Sequence, residues 1–415
     1  MSSPNQPSET PSDETPHDET PETATEPTED GGMPEYEPLT PELVEDEAAR
    51  GDFMLRWAVV LLAFLMGCTF IAETSTLVHV RSGEYLAAHG VWPPANDVFS
   101  FTASERPWVN VSWLFDLVLA GIYAVSGAVG LSLFKALVAA VTFWFVVNLG
   151  MGKTSTWGAS ICSAVALLAC HHSLTAQPML ITLLGLAMMF WVINSWKLGA
   201  SPRRIYALIP LFLFWANLDP RMFLGLVALV LYGLGDLIGV LWGRPSLTES
   251  ERGPFQLAVA GSFLAAMVNP FGWHTLLRPL ELYGTEYPAY REFLSGSPAT
   301  PTTVQYYTLL DSSVWDVLGH TGIAAVALGI AAIIVMYLNF RRLDIGHVLV
   351  FFGFAAFALS SVEQLPAAAL VFAVLLAING QSWYQANFDQ SYSVKTGELI
   401  FSRGGRAVTV LACAA

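Results

Sequence analysis

Residues 54–72 read MLRWAVVLLAFLMGCTFIA, an apolar run interrupted only by Arg56 near its start. A helix needs about 20 mostly apolar residues to cross the hydrocarbon core of a bilayer, so this run predicts a transmembrane helix. Similar runs recur along the chain, at about 112–126, 129–150, 157–171, 178–196, 204–217, 221–243, 254–270, 318–340, 345–361 and 364–380. We therefore predict an all-α, polytopic helical membrane protein.

The composition supports this class and excludes an ordinary soluble enzyme. Of the 415 residues, 54% are hydrophobic and only 13% are charged, whereas soluble domains carry about 25% charged residues. Residues 1–52 hold 16 of the 34 acidic residues and one of the 19 basic ones, so they account for the net charge of −15. They are also poor in large apolar residues, which predicts a disordered acidic tail and gives no indication of nucleic-acid binding.

The basic residues predict the topology, because they concentrate in cytoplasmic loops of membrane proteins. Outside the long loops they lie at Lys153, Lys197, Arg203, Arg204, Arg244, Arg252, Arg341, Arg342, Arg403 and Arg406. All of them fall on one side only if 112–150 crosses the membrane once. We therefore predict that 112–126, which carries Asp116 and ends at Ser126-Gly127, lies along the outer interface, and that 129–150 is the true span.

With this topology the chain divides into a cytoplasmic tail, a first membrane module and a second group of spans. The first module has seven spans, and its outer loop contains two helices that lie on the membrane. A final apolar run begins near Gly405 and stops at Ala415, too soon to cross. The predicted segments are the tail 1–52, the module 53–270 with its outer loop 73–128, a second outer loop 271–317, the spans 318–380, and a cytoplasmic connection with the start of a truncated span at 381–415.

The same topology places several polar residues on the outer side, where ionisable groups at membrane depth commonly mark a cavity. Each has a simpler alternative. Arg81 and Glu84 are three residues apart on a helix and can pair with each other; Asp97 can close a turn; Asp219 precedes a proline and can cap the following helix. The predicted site residues are Glu73, His79, Arg81, Asp97, Asn217, Asp219 and Arg221.

These residues lie in recognisable strings. The first loop reads ETSTLVHVRSGEY at 73–85 and PPANDVFSFTASERPWVNVSWLFD at 93–116, and the later strings are WANLD at 215–219 and NPFG at 269–272. Over about 55–380 the chain resembles the GT-C superfamily of polytopic glycosyltransferases, and more closely bacterial GT-C-like membrane proteins. It departs from their pattern where the first-loop acidic pair becomes Glu73 and Ser75, and where the histidine after WANL becomes Asp219.

The resemblance implies a multi-pass protein of the bacterial inner (plasma) membrane that takes a sugar from a polyisoprenyl-phosphate donor at the outer leaflet. It implies Glu73 and Asp97 as catalytic carboxylates, Glu73 being the candidate base. The groups implied to contact substrate, chiefly the lipid phosphate, are His79, Arg81, Asn217, Asp219 and Arg221. Asp97 and Asp219 could instead hold a divalent cation, and the residues identify no other cofactor. A non-catalytic GT-C scaffold that binds a partner, and a transporter or flippase, stay open as alternative functions.

Overall fold

The fold is a bundle of α-helices, described here from a computed structural model for residues 41–71, 73–99, 108–149, 157–276, 308–310 and 312–387. Short 3-10 turns join several of the helices. The helices are α1 Pro41–Gly67, α2 Thr74–His89, α3 Trp113–Val147, α4 Trp157–Cys170, α5 Pro178–Lys197, α6 Leu208–Leu218, α7 Phe223–Leu241, α8 Glu249–Ala266, α9 Ser312–Leu338, α10 Ile345–Ser360 and α11 Leu365–Asn387.

Five of the helical segments are long and apolar enough to cross a bilayer, which confirms the prediction of an all-α polytopic membrane protein. α4 and α10 are apolar but shorter, and α6 has 11 residues. The count of seven spans in the first module stays a prediction. The five segments are Trp113–Val147, Pro178–Lys197, Pro220–Leu241, Val314–Leu338 and Val362–Asn387.

The centre of the bundle is α11, whose first half is buried on every side. It packs against α4, α5, α9 and α10. Its sequence LPAAALVFAVLLA alternates small and large apolar residues, and small residues let neighbouring helix backbones approach closely. The apolar runs that predict membrane spans therefore also supply the packed interior of the bundle.

Two helices break at glycines with left-handed backbone angles, Gly127 in α3 (φ 59°) and Gly319 in α9 (φ 47°). Glycine adopts this region without the Cβ clash that other residues suffer. The break in α3 separates 113–126 from 128–147, at the boundary that the sequence predicts between an interfacial helix and a span. At about 1.5 Å per residue, 128–147 is roughly 30 Å long, the thickness of the hydrocarbon core.

Contacts at its two ends show that α3 runs the length of the bundle. Near its start, the indole Nε1 of Trp113 donates to Asn217 Oδ1 at 3.0 Å, at the end of α6. Ser132 Oγ donates to the carbonyl oxygen of Thr69, just after α1, at 3.2 Å. Beyond the last turn of α3, the carbonyl oxygen of Leu149 accepts a hydrogen bond from α5. These contacts favour a single crossing by the second half of α3; the side of the membrane on which each end lies stays a prediction.

The helix limits differ from the predicted segment boundaries at both ends of the chain. α1 begins at Pro41 rather than at residue 53, because the stretch ELVEDEAAR is rich in strong helix formers and follows a proline suited to the first helical position. α11 likewise extends to Asn387. The predictions for the tail before Pro41, for most of the loop 271–317 and for the truncated span lie outside the described residues.

Candidate functional site

The first part of the site forms where α2 crosses α3. A Cβ added at Gly83 would lie 2.0 Å from the carbonyl oxygen of Asp116, so the two helices touch backbone to backbone here. One turn before Gly83, His79 reaches across, and its Nδ1 lies 2.6 Å from Asp116 Oδ1. Asn110 Nδ2 donates to the second carboxylate oxygen at 2.7 Å. The glycine thus sets the helix separation that lets a histidine and a carboxylate meet.

The two members of this pair differ in exposure. The Asp116 side chain is 2% exposed, whereas the His79 side chain is 23% exposed. Because Nδ1 faces the carboxylate, Nε2 is the ring nitrogen left for another partner, and it makes no hydrogen bond to a described residue. A histidine whose one nitrogen is fixed by a buried carboxylate can accept or donate a proton at the other nitrogen.

The WANLD string forms the second part of the site. The Trp215 ring is buried between α5 and α7, where it lies against two glycines, Gly185 and Gly225. Its Nε1 donates to Thr182 Oγ1 at 3.3 Å, and that hydroxyl donates to Asp219 Oδ2 at 2.5 Å. The tryptophan and the aspartate of the string are therefore linked through a threonine on a neighbouring helix.

Asp219 is fully buried and holds Arg221. Its Oδ1 accepts from the backbone N–H of Arg221 at 3.0 Å, which caps the turn before α7 as the sequence alternative predicts. The guanidinium lies 3.7 Å from the same oxygen and 3.4 Å from Glu363 Oε2. Burial raises the pKa of the Asp219 carboxyl, although Arg221, Thr182 and the charge of the nearby His79 act to lower it. The Trp113–Asn217 hydrogen bond, three residues before Asp116 and two before Asp219 in the chain, brings the two parts of the site to the same end of the bundle.

Asn217 connects the first loop to the end of α8. Its Oδ1 accepts from the Trp113 indole, and its Nδ2 donates to the carbonyl oxygens of Leu213 at 2.8 Å and Val268 at 2.9 Å. Val268 directly precedes the NPFG string. The described contacts thus use both ends of the amide to hold three elements together.

Glu73 lies at the start of α2, close enough to Lys135 for the two charges to interact. Its Oε2 is buried and has no hydrogen-bond partner among the described residues. Lys135 is itself buried, and its ammonium donates to Thr69 Oγ1 at 2.7 Å. Two residues after Glu73, Ser75 accepts a hydrogen bond from Gln177 at 2.8 Å, which ties the start of α2 to the turn before α5.

Arg81 and Asp97 are engaged in local contacts. The Arg81 side chain is 76% exposed and pairs with Glu84 at 2.5 Å, the simpler alternative for this residue. Asp97 Oδ1 accepts from the backbone N–H of Phe99 at 2.8 Å and so closes a turn. Phe99 packs against Tyr85 in the second half of α2, past His79. The site cluster therefore consists of separate hydrogen-bonded groups at one end of the bundle, His79 with Asp116, Asp219 with Arg221, and Asn217 with Trp113, whereas Arg81 and Asp97 sit in these local turns.

Several residues of the cluster are not among the predicted site residues. Asp116 and Lys135 are visible in the sequence as single charges inside apolar runs. Thr182 and Asn110 give no such indication. For a divalent cation, no group of three or more His, Cys, Asp or Glu side chains in the described part of the chain is arranged to hold a metal ion.

Fold and site together define a class of protein: a polytopic helical membrane protein with a buried cluster of carboxylates, amides and cations at one end of its bundle. No family model matches the chain, and no curated protein matches its sequence. A functional assignment must therefore be argued from the contacts of the cluster itself.

Proposed function

We propose that this protein is a membrane glycosyltransferase that takes a sugar from a polyisoprenyl-phosphate donor at the outer leaflet. The observation that carries the proposal is the His79–Asp116 pair, whose partly exposed imidazole lies at the same end of an apolar bundle as the Asp219–Arg221 pair. A lipid-linked substrate needs an apolar surface for its chain, a cation for its phosphate and a base for the acceptor. All three are present at this end of the bundle, which supports the proposal.

In the proposed reaction, an acceptor hydroxyl attacks the anomeric carbon of the donor sugar. The bond between that carbon and the phosphate oxygen breaks, and its electron pair leaves with the polyisoprenyl phosphate. The hydroxyl proton passes to Nε2 of His79, and the buried Asp116 carboxylate stabilises the resulting imidazolium. Arg221 has five N–H donors and is 28% exposed, so it can also bind the phosphate as charge develops on it.

Under this proposal Glu73 is the competing candidate for the base, because one of its oxygens is buried without a partner. Arg81 and Asp97 would contact substrate only from the separate turns in which they lie. No step of the proposed reaction depends on a divalent cation.

A non-catalytic scaffold is the second candidate function. The observation that favours it is that Asp219 and Asn217 direct their hydrogen bonds to other protein groups, as structural residues do. Such a protein would bind a lipid-linked sugar or a partner protein through the same end of the bundle and would not turn the substrate over.

Sugar transfer by the full chain in vesicles containing polyisoprenyl-phosphate sugars tests both functions. His79→Gln should lower the transfer rate by about 10²-fold or more, the scale of lost general base catalysis. His89→Gln is the matched control, because His89 lies exposed on the same helix and stacks on Tyr85; its rate should match wild type. A normal rate in His79→Gln refutes the base assignment, and Glu73→Gln then tests the competing base. Binding without transfer by wild type identifies a scaffold.

A further inference from the structure

A separate cavity of about 260 Å³, lined by both apolar and polar side chains, lies at the opposite end of the bundle, between α5, α7, α10 and α11. Lys197 is at the last turn of α5, whereas the start of α5 lies at the site described above. The cavity is smaller than sites for drug-sized ligands, which begin near 300 Å³. It has polar and charged side chains on one wall, among them Lys197, Arg342, Asp344 and Asn379, and apolar side chains of α5 on another.

The single carboxylate of the cavity is already saturated with hydrogen bonds. Asp344 Oδ2 accepts from Lys197 at 3.1 Å and from the Tyr232 hydroxyl at 3.0 Å, and its Oδ1 accepts from Ser246 at 2.5 Å. The backbone N–H of Gly346 provides a fourth donor at 2.8 Å. Two oxygens with about four lone-pair sites have no capacity left for a cationic ligand.

This carboxylate stays ionised and neutralises Lys197. Burial acts to raise the pKa of Asp344, but the charges of His347 and Lys197 and the hydrogen bonds from Ser246 and Lys197 outweigh burial and hold that pKa below its usual range. The ammonium of Lys197 has three donors. Two of them are used, by Tyr232 at 2.7 Å and by Asp344, which leaves one for a ligand.

Arg342 provides the uncompensated charge. It lies in the turn before α10, its side chain is exposed, and its guanidinium makes no hydrogen bond or ion pair to a described residue. Apart from His347, the charged groups of the cavity wall are therefore Arg342 without a partner among the described residues, Lys197 with one free donor, and Asp344 with its acceptor sites occupied. A ligand that fits these groups carries a negative charge and several acceptor oxygens, as a phosphate group does.

The position of the cavity indicates where such a phosphate comes from. The apolar wall formed by Met189, Phe190 and Ile193 of α5 closes the cavity toward the packed core, whereas Lys197 and Arg342 lie at or just beyond the ends of helices long enough to span the membrane. Basic pockets between transmembrane helices at the level of the headgroups suit anionic lipids. We propose that this cavity binds the phosphate of an anionic phospholipid, held by Arg342 and Lys197.

The test compares the full-length protein in nanodiscs of phosphatidylcholine alone and with phosphatidylglycerol added. Native mass spectrometry should detect retained phosphatidylglycerol on the wild type, and Arg342→Gln should weaken its binding at least about tenfold, the scale of a lost charge-assisted hydrogen bond. Arg341→Gln is the matched control: it removes the same charge from the adjacent position, which does not line the cavity. The Arg341→Gln variant should lose only the smaller, non-specific attraction of a cation near an anionic surface.

An equal loss of phosphatidylglycerol binding in Arg342→Gln and Arg341→Gln, or no loss of binding in Arg342→Gln, would overturn the proposal. A parallel titration with inorganic phosphate separates the two sources of the anion. If phosphate alone binds with the same dependence on Arg342 and displaces no lipid, the ligand is a soluble phosphate and the assignment to a phospholipid is wrong. In nanodiscs without phosphatidylglycerol, Arg342→Gln and Arg341→Gln should melt at the same temperature as wild type. The Arg342 side chain makes no contact that folding requires.

Discussion

Gly83→Ala should separate His79 from Asp116 without changing either residue. The new Cβ would lie 2.0 Å from the Asp116 carbonyl oxygen, while ordinary contact begins at 3.4 Å. The helices must therefore part by roughly 1.4 Å at this point. The Nδ1 to Oδ1 distance would grow from 2.6 Å to about 4 Å, beyond hydrogen-bond range. Overpacking of this kind costs about 1–3 kcal/mol.

Two measurements on the full chain in nanodiscs check this expectation. The melting temperature should fall, and His79 should react faster with diethylpyrocarbonate, followed by mass spectrometry, because its ring loses the carboxylate. Gly121→Ala is the control, since a Cβ there meets nothing within 4 Å and alanine favours a helix by about 0.5–1 kcal/mol. If Gly83→Ala matches Gly121→Ala in both measurements, the close helix contact does not position the pair.

Two further predictions concern the topology and the buried carboxylate. A cysteine placed at Ser126 should react with an impermeant maleimide from outside the cell and one at Lys153 only from the cytoplasm. The reverse pattern would contradict the predicted seven-span module, and labelling of both from the same side would contradict the single crossing of α3. Asp219→Ala should lower the stability by about 3–5 kcal/mol, because it leaves Thr182 and Arg221 without their buried acceptor. Asp219→Asn keeps one acceptor oxygen and should melt between Asp219→Ala and wild type; equal melting of all three would show that these hydrogen bonds contribute nothing.

The sequence predicts the helical membrane fold well, because a bilayer imposes length and apolarity on each helix separately. Local features also predict the two helices of the first outer loop and the break at Gly127. A polar interruption marks the helices, and a Ser-Gly pair marks the break. The start of α1 at Pro41 is missed because an acidic segment with few large apolar residues can be a tail or a helix. Its helix propensity alone does not distinguish the two.

The site is less predictable, because its contacts depend on packing between distant segments. The His79–Asp116 pair joins residues 37 positions apart, and the Trp113–Asn217 bond joins residues 104 positions apart. Thr182 has no unusual sequence context, yet it links the tryptophan and the aspartate of WANLD. Local rules do predict the turn at Asp97 and the cap at Asp219, because each accepts from a backbone N–H two residues further on.

The packing of Trp215 against two glycines has a consequence for how this chain can evolve. A Cβ at Gly185 or Gly225 would lie 2.5 Å or 2.6 Å from the indole ring, so neither glycine can change while the tryptophan stays. A smaller residue at 215 would leave room for side chains at Gly185 and Gly225. It would also remove the indole N–H that donates to Thr182. These three sites should therefore covary among descendants of this sequence as one unit, with side-chain volume exchanged between the helices.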